Sequence, residues 1–279
     1  MPELPEVETI RRDLEKDVVG RRVKEVEVLG ERSIRRHSSP EEFRSRLEGR
    51  KIERVQRRGK YLLVELEGGE LLVVHLRMSG QLLRVKSPKE PLAKHTHVVI
   101  TFSQGGQLRF VDPRTFGELF VVSASSIEQE APELAELGFD PVEEIMSWQH
   151  FGTLLRARRQ PLKAVLTDQR FVAGIGNVYA DEILFAAGLR FDRPSDSLSP
   201  QELRRLYRSM VETLQEAIKH RGSSLADEQY RDLFGETGSY QGEHCVYDRE
   251  GQACPRCRAR IVRVKFGGRS TYYCEQCQV

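Results

Sequence analysis

The chain has 279 residues, 31% of them charged, and its 44 Lys/Arg against 42 Asp/Glu leave a net charge of only +2. That length suits two domains with a core each, and an apolar share of 39% before glycine is counted excludes global disorder. No apolar run approaches membrane-spanning length, and the start, MPELPEVETIRR, lacks a signal peptide's apolar stretch, so a cytosolic protein with no membrane partner is expected.

In chain order, Leu4, Val7, Ile10 and Leu14 fall at helical spacing and predict a short first helix. RRVKEVEVLG, KIERVQRRGKYLLVEL, ELLVVHLRM, HTHVVITF and QLRFVDP follow, rich in β-branched residues and separated by turns such as Gly68-Gly69 and Gly105-Gly106. They predict an antiparallel sandwich. Charge is segregated: Arg50 to Lys60 holds six basic residues and one acid, whereas Ser123 to Gln149 holds seven acids and no Lys or Arg. A basic working face with an acidic back would look like this, and so would a mixed solvated surface. The acidic stretch, with Pro132 and Pro141, reads as a linker. After it the period becomes helical, in WQHFGTLLRARR, in PLKAVLTDQ and from Val178 to Leu189. The clearest helix runs from Pro200 to about His220, with Ser199 as N-cap, Glu202 completing a capping box and Gly222 ending it. From Gly222 to Gln252 the pattern fades into a loop rich in Gly, Ser and Tyr, a length usual for functional or mobile loops.

Cys254-Pro-Arg-Cys257 and Cys274-Glu-Gln-Cys277 close the chain, sixteen residues apart. Four thiolates on two tight turns suit tetrahedral zinc, although two disulfides or unligated thiols would also satisfy the spacing. The segment between them, IVRVKFGGRSTYY, alternates around Gly267-Gly268 and predicts a hairpin, hence a zinc ribbon. From Cys254 to Val279 six Lys/Arg face one Glu, and a four-cysteine zinc site lowers that balance by about two, so the ribbon remains basic and suited to a polyanion. The fifth cysteine, Cys245, has no evident partner, and this cysteine usage fits a reducing cytosol or nucleoid.

The N-terminus reads as a reagent. Proline at position 2 normally allows removal of Met1, which would free Pro2 as a secondary amine able to attack an electrophilic sugar carbon and hold it as an iminium ion. Glu3 and Glu6 stand where a carboxylate could shuttle protons. The same residues also serve as ordinary helix-initiation signals.

PELPEVE at the start and the terminal ribbon, taken with QRRGKYLL (56–63), HLRMSG (75–80), KHTHV (94–98), DPRTFG (112–117), GIGNVYADE (174–182) and VYDREGQ (246–252), resemble the formamidopyrimidine-DNA glycosylase family over the whole chain. PELPE rather than PEGPE favours the oxidised-purine branch over the endonuclease VIII branch. The resemblance implies an α+β fold. A β-sandwich lobe with the N-terminal helix would span 1–130, a linker 131–150, a helical lobe with a helix-two-turns-helix motif 151–243, and a zinc ribbon 244–279.

It further implies a base-excision repair enzyme, a DNA glycosylase (hydrolase of an N-glycosyl bond) and AP lyase. This enzyme would remove 8-oxoguanine and formamidopyrimidines from duplex DNA bound in a basic cleft, through a Pro2 Schiff base and β,δ-elimination. Pro2 would be the nucleophile and Glu3 the proton-transferring carboxylate. Lys60 and Arg269 would grip phosphate beside the lesion, and Lys163 would be a second active-site lysine. Asn177 would hold phosphate at a helix N-terminus, with His97 among the DNA-binding residues although packing would serve it equally. Met78, Arg114 and Phe116 would fill the void left by the flipped nucleotide, although Met78 and Phe116 also read as core residues. The loop from about Ser223 to Gly242 would cover the flipped base. One structural Zn2+ per chain on Cys254, Cys257, Cys274 and Cys277, no catalytic metal, damaged double-stranded DNA as partner and a monomeric state complete the expectation. Thr115 departs from the family pattern, where Arg or Lys is common. The alternatives are an oxidised-pyrimidine glycosylase of the same fold, a non-catalytic DNA-binding protein that keeps the scaffold, and an RNA or protein adaptor that works through the ribbon alone, against which the intact N-terminal motif argues.

Overall fold

The computed structural model describes residues 1–225 and 229–279. The chain divides into two compact units, Met1–Glu136 with His220–Ser239, and Leu137–Lys219 with Tyr240–Val279.

The first unit opens with α1 (Leu4–Asp17), followed by β1 (Val23–Val28), α2 (Pro40–Leu47), β2 (Ile52–Arg58), β3 (Tyr61–Leu66), β4 (Glu70–His75), β5 (Gln81–Val85), β6 (Thr96–Phe102), β7 (Gln107–Val111) and β8 (Glu118–Ser123). Two four-stranded antiparallel sheets result, ordered β1-β6-β7-β5 and β2-β3-β4-β8. The helical-period residues Val7, Ile10 and Leu14 of α1 enter one core with Val55, Leu62, Val64, Leu72, Val74 and Phe110 from the strands. The N-terminal helix is thus anchored by burial along a whole face, a contribution of ~1.5–3 kcal/mol for each large side chain.

Among the described residues of the first unit, two strands and three α-helices (α2 and the two short ones that follow β8) lie outside the predicted segments. β5 is mostly half-exposed and β8 is buried nearly throughout, so neither gives a clean two-residue alternation. α2 offers only Phe43 and Leu47 to the core, too few for a helical period, although its start signal is explicit: Pro40 follows Ser39, whose hydroxyl accepts the Glu42 amide.

Two short helices, α3 (Ile127–Glu130) and α4 (Pro132–Ala135), end the first stretch of the first unit. The second unit contains α5 (Trp148–Arg158), α6 (Leu162–Thr167), α7 (Asn177–Ala187), α8 (Pro200–Lys219) and the hairpin β9 (Val262–Phe266) with β10 (Arg269–Tyr273). The capping box on α8 is present, Ser199 accepting from the Glu202 amide at 3.3 Å and Glu202 from the Ser199 amide at 2.8 Å. Gly267 and Gly268 turn the hairpin with φ of 54° and 77°, the backbone a two-residue turn of this kind demands.

The compact units are drawn differently from the division 1–130, 131–150, 151–243 and 244–279. Residues 220–239 join the first unit because their polar groups are satisfied there. Arg221 pairs with Asp13 and Asp232, the Ser223 amide donates to Glu6 at 2.7 Å, and the Arg84 amide donates to the Leu233 carbonyl at 2.7 Å. Residues 131–136 join it through the Leu134 carbonyl, which accepts from Arg58 at 2.9 Å, and through Glu133, which pairs with Arg36. Part of the expected cover, residues 226–228, lies outside the described residues. Among the described residues, no helix is long and apolar enough to cross a membrane.

Candidate active site and metal centre

At the head of α1 Pro2 and Glu3 are buried while Met1 is 46% exposed. Free amides of a helix's first turn need acceptors. Glu6, in that turn, supplies one: a single carboxylate takes the Glu3 amide at 2.8 Å and the Ser223 amide at 2.7 Å. Further along the helix, Glu8 is buried and paired with Arg57 at 3.0 Å, Arg11 at 3.0 Å and Arg12 at 2.7 Å. Burial alone would raise its pKa, but the bonds and charges of Arg11, Arg57 and Arg12 outweigh that and hold it below the usual carboxylate range. Arg57 also donates to the Gly59 carbonyl at 3.0 Å, which braces the turn carrying Lys60.

Lys60 itself is 8% exposed, so it is not a solvated strand-end lysine. Nearby on β4, His75 stacks on Tyr61 with ring centroids 4.3 Å apart, and its Nδ1 lacks a partner. Burial, then the charges of Arg77 and Lys60, keep this imidazole neutral with a pKa well below its usual value. The positive character here therefore belongs to lysine and arginine.

Met78, Arg114 and Phe116 come together through a residue that the sequence reading passed over, Asp112. Its fully buried carboxylate accepts the Ser79 hydroxyl, the Arg114 amide at 3.1 Å and the Gly117 amide at 2.7 Å. Its carbonyl oxygen lies 2.8 Å from His97 Nε2, so His97 buttresses the same loop. From the other side Arg35 donates to the Phe116 and Gly117 carbonyls at 3.2 and 3.1 Å. Held this way, Met78 and Phe116 remain 40% and 42% exposed, which removes the core reading of both. The Arg114 guanidinium lies 5.1 Å from the Phe116 ring centroid. The presenting turns use left-handed backbone at Arg77 (φ 52°) and Thr115 (φ 54°), uncommon for non-glycine residues and concentrated at functional loops.

In the second unit Gly176 caps α7 and Asn177 is its first residue. Gln169 shapes the preceding loop, accepting the Gly174 amide at 2.9 Å and donating to the Ile175 carbonyl at 2.7 Å. The Asn177 side-chain amide donates to the Ser270 carbonyl at 2.9 Å, while its Oδ1 is without a partner. Lys163 is buried, with Nζ 2.6 Å from Asp181, 2.7 Å from the Thr271 hydroxyl and 3.3 Å from the Ser270 carbonyl. Glu182 accepts the amides of Cys245, Val246 and Tyr247 at 2.8, 2.9 and 2.8 Å. Arg269 begins β10 and is exposed. Pro2, Glu3, Lys60, His97, Met78, Arg114 and Phe116 thus belong to the first unit, and Lys163, Asn177, Arg269 and the four cysteines to the second.

The sulfurs of Cys254, Cys257, Cys274 and Cys277 all lie within 4.8 Å of one another, with 3.8 Å between Cys254 and Cys277 and 3.4 Å between Cys257 and Cys274. Tetrahedral Zn–S bonds of ~2.3 Å require sulfurs about 3.8 Å apart, so this donor set fits zinc. The turns are built for it, the Arg256 amide pointing at Cys254 Sγ at 3.4 Å.

Three family models match in order: the formamidopyrimidine-DNA glycosylase N-terminal domain over residues 1–119, its H2TH domain over 137–229, and a zinc finger found in FPG and IleRS over 251–279. A formamidopyrimidine-DNA glycosylase of Pelotomaculum thermopropionicum is 44% identical over 280 residues, covering 100% of this chain and 99% of the relative. The chain belongs to the formamidopyrimidine-DNA glycosylase family.

Solved structures of the family agree in fold. The MutM (Fpg) protein from Thermus thermophilus superposes with a TM-score of 0.88 at 42% identity, covering 99% of this chain and 98% of that one. The Lactococcus lactis Fpg (MutM) complex with DNA containing N7-benzyl-Fapy-dG gives 0.90 at 36% identity, covering 99% of each chain. In this glycosylase the α+β architecture and the zinc finger are as the sequence implied, and the four-cysteine cluster is a structural zinc site.

Proposed function

We propose that this chain is a bifunctional DNA glycosylase/AP lyase of base-excision repair that removes oxidised purines from damaged duplex DNA. The observation that carries the reading is the placement of Pro2 and Glu3 at the head of α1, with Glu6 holding the Glu3 amide at 2.8 Å. A buried helix start of this kind gives a secondary amine and a carboxylate fixed positions, as attack on a sugar carbon requires.

After removal of Met1, the Pro2 nitrogen attacks C1′ of the damaged nucleotide while the N-glycosidic bond breaks and the base departs with a proton. Glu3 moves the proton that lets the sugar ring open, which leaves an iminium at C1′. Loss of a C2′ proton then expels the 3′ phosphate, and a second elimination expels the 5′ phosphate. Reaching C1′ requires flipping the nucleotide out of the stack. Met78 and Phe116 are the wedge for the hole, and Arg114 meets the orphaned base. Lys60, Asn177 and Arg269 take phosphate oxygens. His97 and Lys163 act on DNA through the loop and the hairpin they hold. Zinc on four thiolates has no open position, so its work is structural. The cytosol or nucleoid is the location this role implies.

Borohydride trapping on duplexes containing 8-oxoguanine opposite cytosine, or an abasic site, tests the reading. A covalent adduct mapped to Pro2 is expected. No adduct with either duplex, from zinc-loaded protein lacking Met1, would leave a DNA-binding protein on the same scaffold. Cleavage of thymine glycol in preference to 8-oxoguanine would instead assign the oxidised-pyrimidine branch.

A further inference from the structure

Asp181 has no part in the chemistry above, yet it is among the most enclosed acids of the second unit. It lies on α7 four residues after Asn177, with 1% of its surface exposed. Its Oδ1 is 2.6 Å from Lys163 Nζ on α6, and its Oδ2 accepts the Tyr272 amide on β10 at 2.9 Å. Lys163 in turn donates to the Thr271 hydroxyl at 2.7 Å and lies 3.3 Å from the Ser270 carbonyl. Asn177 donates to that same carbonyl at 2.9 Å. Three consecutive residues of β10 are therefore held by side chains of α6 and α7, and the residue immediately before them is the exposed Arg269.

We propose that Asp181 is the positioning residue that sets Arg269 for phosphate, acting through Lys163 and the Ser270–Tyr272 backbone. The proposal rests on the reading of Arg269 as a phosphate contact. A hairpin of five-residue strands has little core of its own, so the direction in which Arg269 leaves β10 is fixed by what grips the next residues. The buried cation of Lys163 cannot be the anchor alone, since without a counter-charge its burial would be costly. Asp181 faces that cation at 2.6 Å and at the same time caps the Tyr272 amide. Burial pushes its own pKa up to about 7 against the pull of Lys163, so the pair shares its charge most fully above neutrality. Lys163, which the family resemblance would put at the lesion, is here engaged inside the protein.

The arrangement makes structural and positioning roles separable. Asp181→Asn keeps an acceptor for Tyr272 but strands the lysine charge. Asp181→Leu with Lys163→Met removes both charges together, a change that buried pairs often tolerate. Zinc content, thermal unfolding, and Kd and kcat on a lesion duplex are measured for each, beside Arg269→Ala. The expected result for Asp181→Asn is full zinc content, a Kd raised about tenfold and kcat at saturating DNA nearly unchanged. The double variant should recover thermal stability without recovering Kd. Adding Arg269→Ala to Asp181→Asn should weaken binding little beyond Arg269→Ala alone, because both act through one contact.

Stability and Kd returning together in the double variant would make the pair merely structural and overturn the proposal. So would additive losses in Kd. If Arg269→Ala alone binds like wild type, the phosphate reading of Arg269 fails first, an outcome recognisable without any Asp181 variant.

Discussion

In the first unit, Met78, Arg114 and Phe116 stand on turns tied to one buried carboxylate, Asp112, above a core shared by two four-stranded sheets and α1. In the second, Arg269 stands on a two-stranded hairpin whose local core is six buried residues, Phe185, Val246, Cys254, Ile261, Tyr272 and Cys274, two of them zinc ligands. Both present exposed side chains from fixed backbone, but the supports differ in kind. The sandwich sets its loops on a large apolar core, so loss of a polar contact at its surface is expected to move them less. The ribbon depends on metal and on buried carboxylates, so it should fail through loss of position at once. Substitutions of equal chemical size should therefore have unequal consequences in the two regions.

The largest consequence is expected at the metal. Structural zinc in small fingers contributes about 10–16 kcal/mol of apparent binding free energy that is also folding free energy. Cys257→Ser should lose zinc, unfold the ribbon and abolish specific DNA binding, while far-ultraviolet circular dichroism of the sandwich persists. Wild-type affinity from protein shown to be zinc-free would sink the structural role of the metal.

Next comes the buried pair under α1. Glu8→Gln removes the carboxylate charge that Arg57, Arg11 and Arg12 share, and breaking a buried pair from one side costs about 3–5 kcal/mol. The folded carboxylate is held below its ordinary value of 4.5. Its stabilisation is therefore complete above that pH and drains away as pH falls through the lowered value. Denaturation of wild type and variant should differ most near neutrality and converge in acid. A constant difference down to low pH would show that Glu8 contributes by packing rather than by charge.

Much of this division is already readable from residue types. Alternating β-branched segments give the sandwich, a capping box gives α8, and two CxxC pairs give the ribbon, because each depends on neighbours close in sequence. The supports of the site are not readable in that way. Asp112 in an Asp-Pro turn, Gln169 before the glycine loop and Asp181 inside α7 look like ordinary polar residues. Their roles depend on amides and cations brought near by the fold, such as Tyr272, 91 positions from Asp181. The exposure of Met78 and Phe116 is likewise invisible in sequence, where an apolar residue beside a strand reads as core. An aspartate directly before proline and two residues before an arginine carries a usable signal, since its carboxylate readily accepts the amide two positions on.

A smaller effect separates the two exposed arginines. Arg114→Ala removes the guanidinium proposed to meet the orphaned base from a sheet-supported loop, so excision should fall according to the base opposite the lesion, by about 1–3 kcal/mol of discrimination. Non-specific affinity and its salt dependence should hardly change. Arg269→Ala should do the opposite, weakening all duplexes alike and flattening the salt dependence. A uniform loss from Arg114→Ala would move that residue from base reading to phosphate holding.

The smallest expected effect tests how firmly the sandwich holds the loop of the proposed wedge. Thr115 takes φ of 54° between Arg114 and Phe116, a left-handed conformation that crowds a β-branched side chain. Thr115→Gly relieves that crowding but gives the unfolded chain more freedom, so the net gain in stability should be only ~0.5–1 kcal/mol. Thr115→Val keeps the branch and the crowding, and it should give no gain. If valine stabilises as much as glycine, backbone strain is not the cause and the threonine hydroxyl is. Glycine should also loosen the segment that aims Arg114, so its gain in melting temperature should come with weaker discrimination among opposite bases. Asp112, Arg35 and His97 grip this loop at its ends, leaving Thr115 to stiffen the middle.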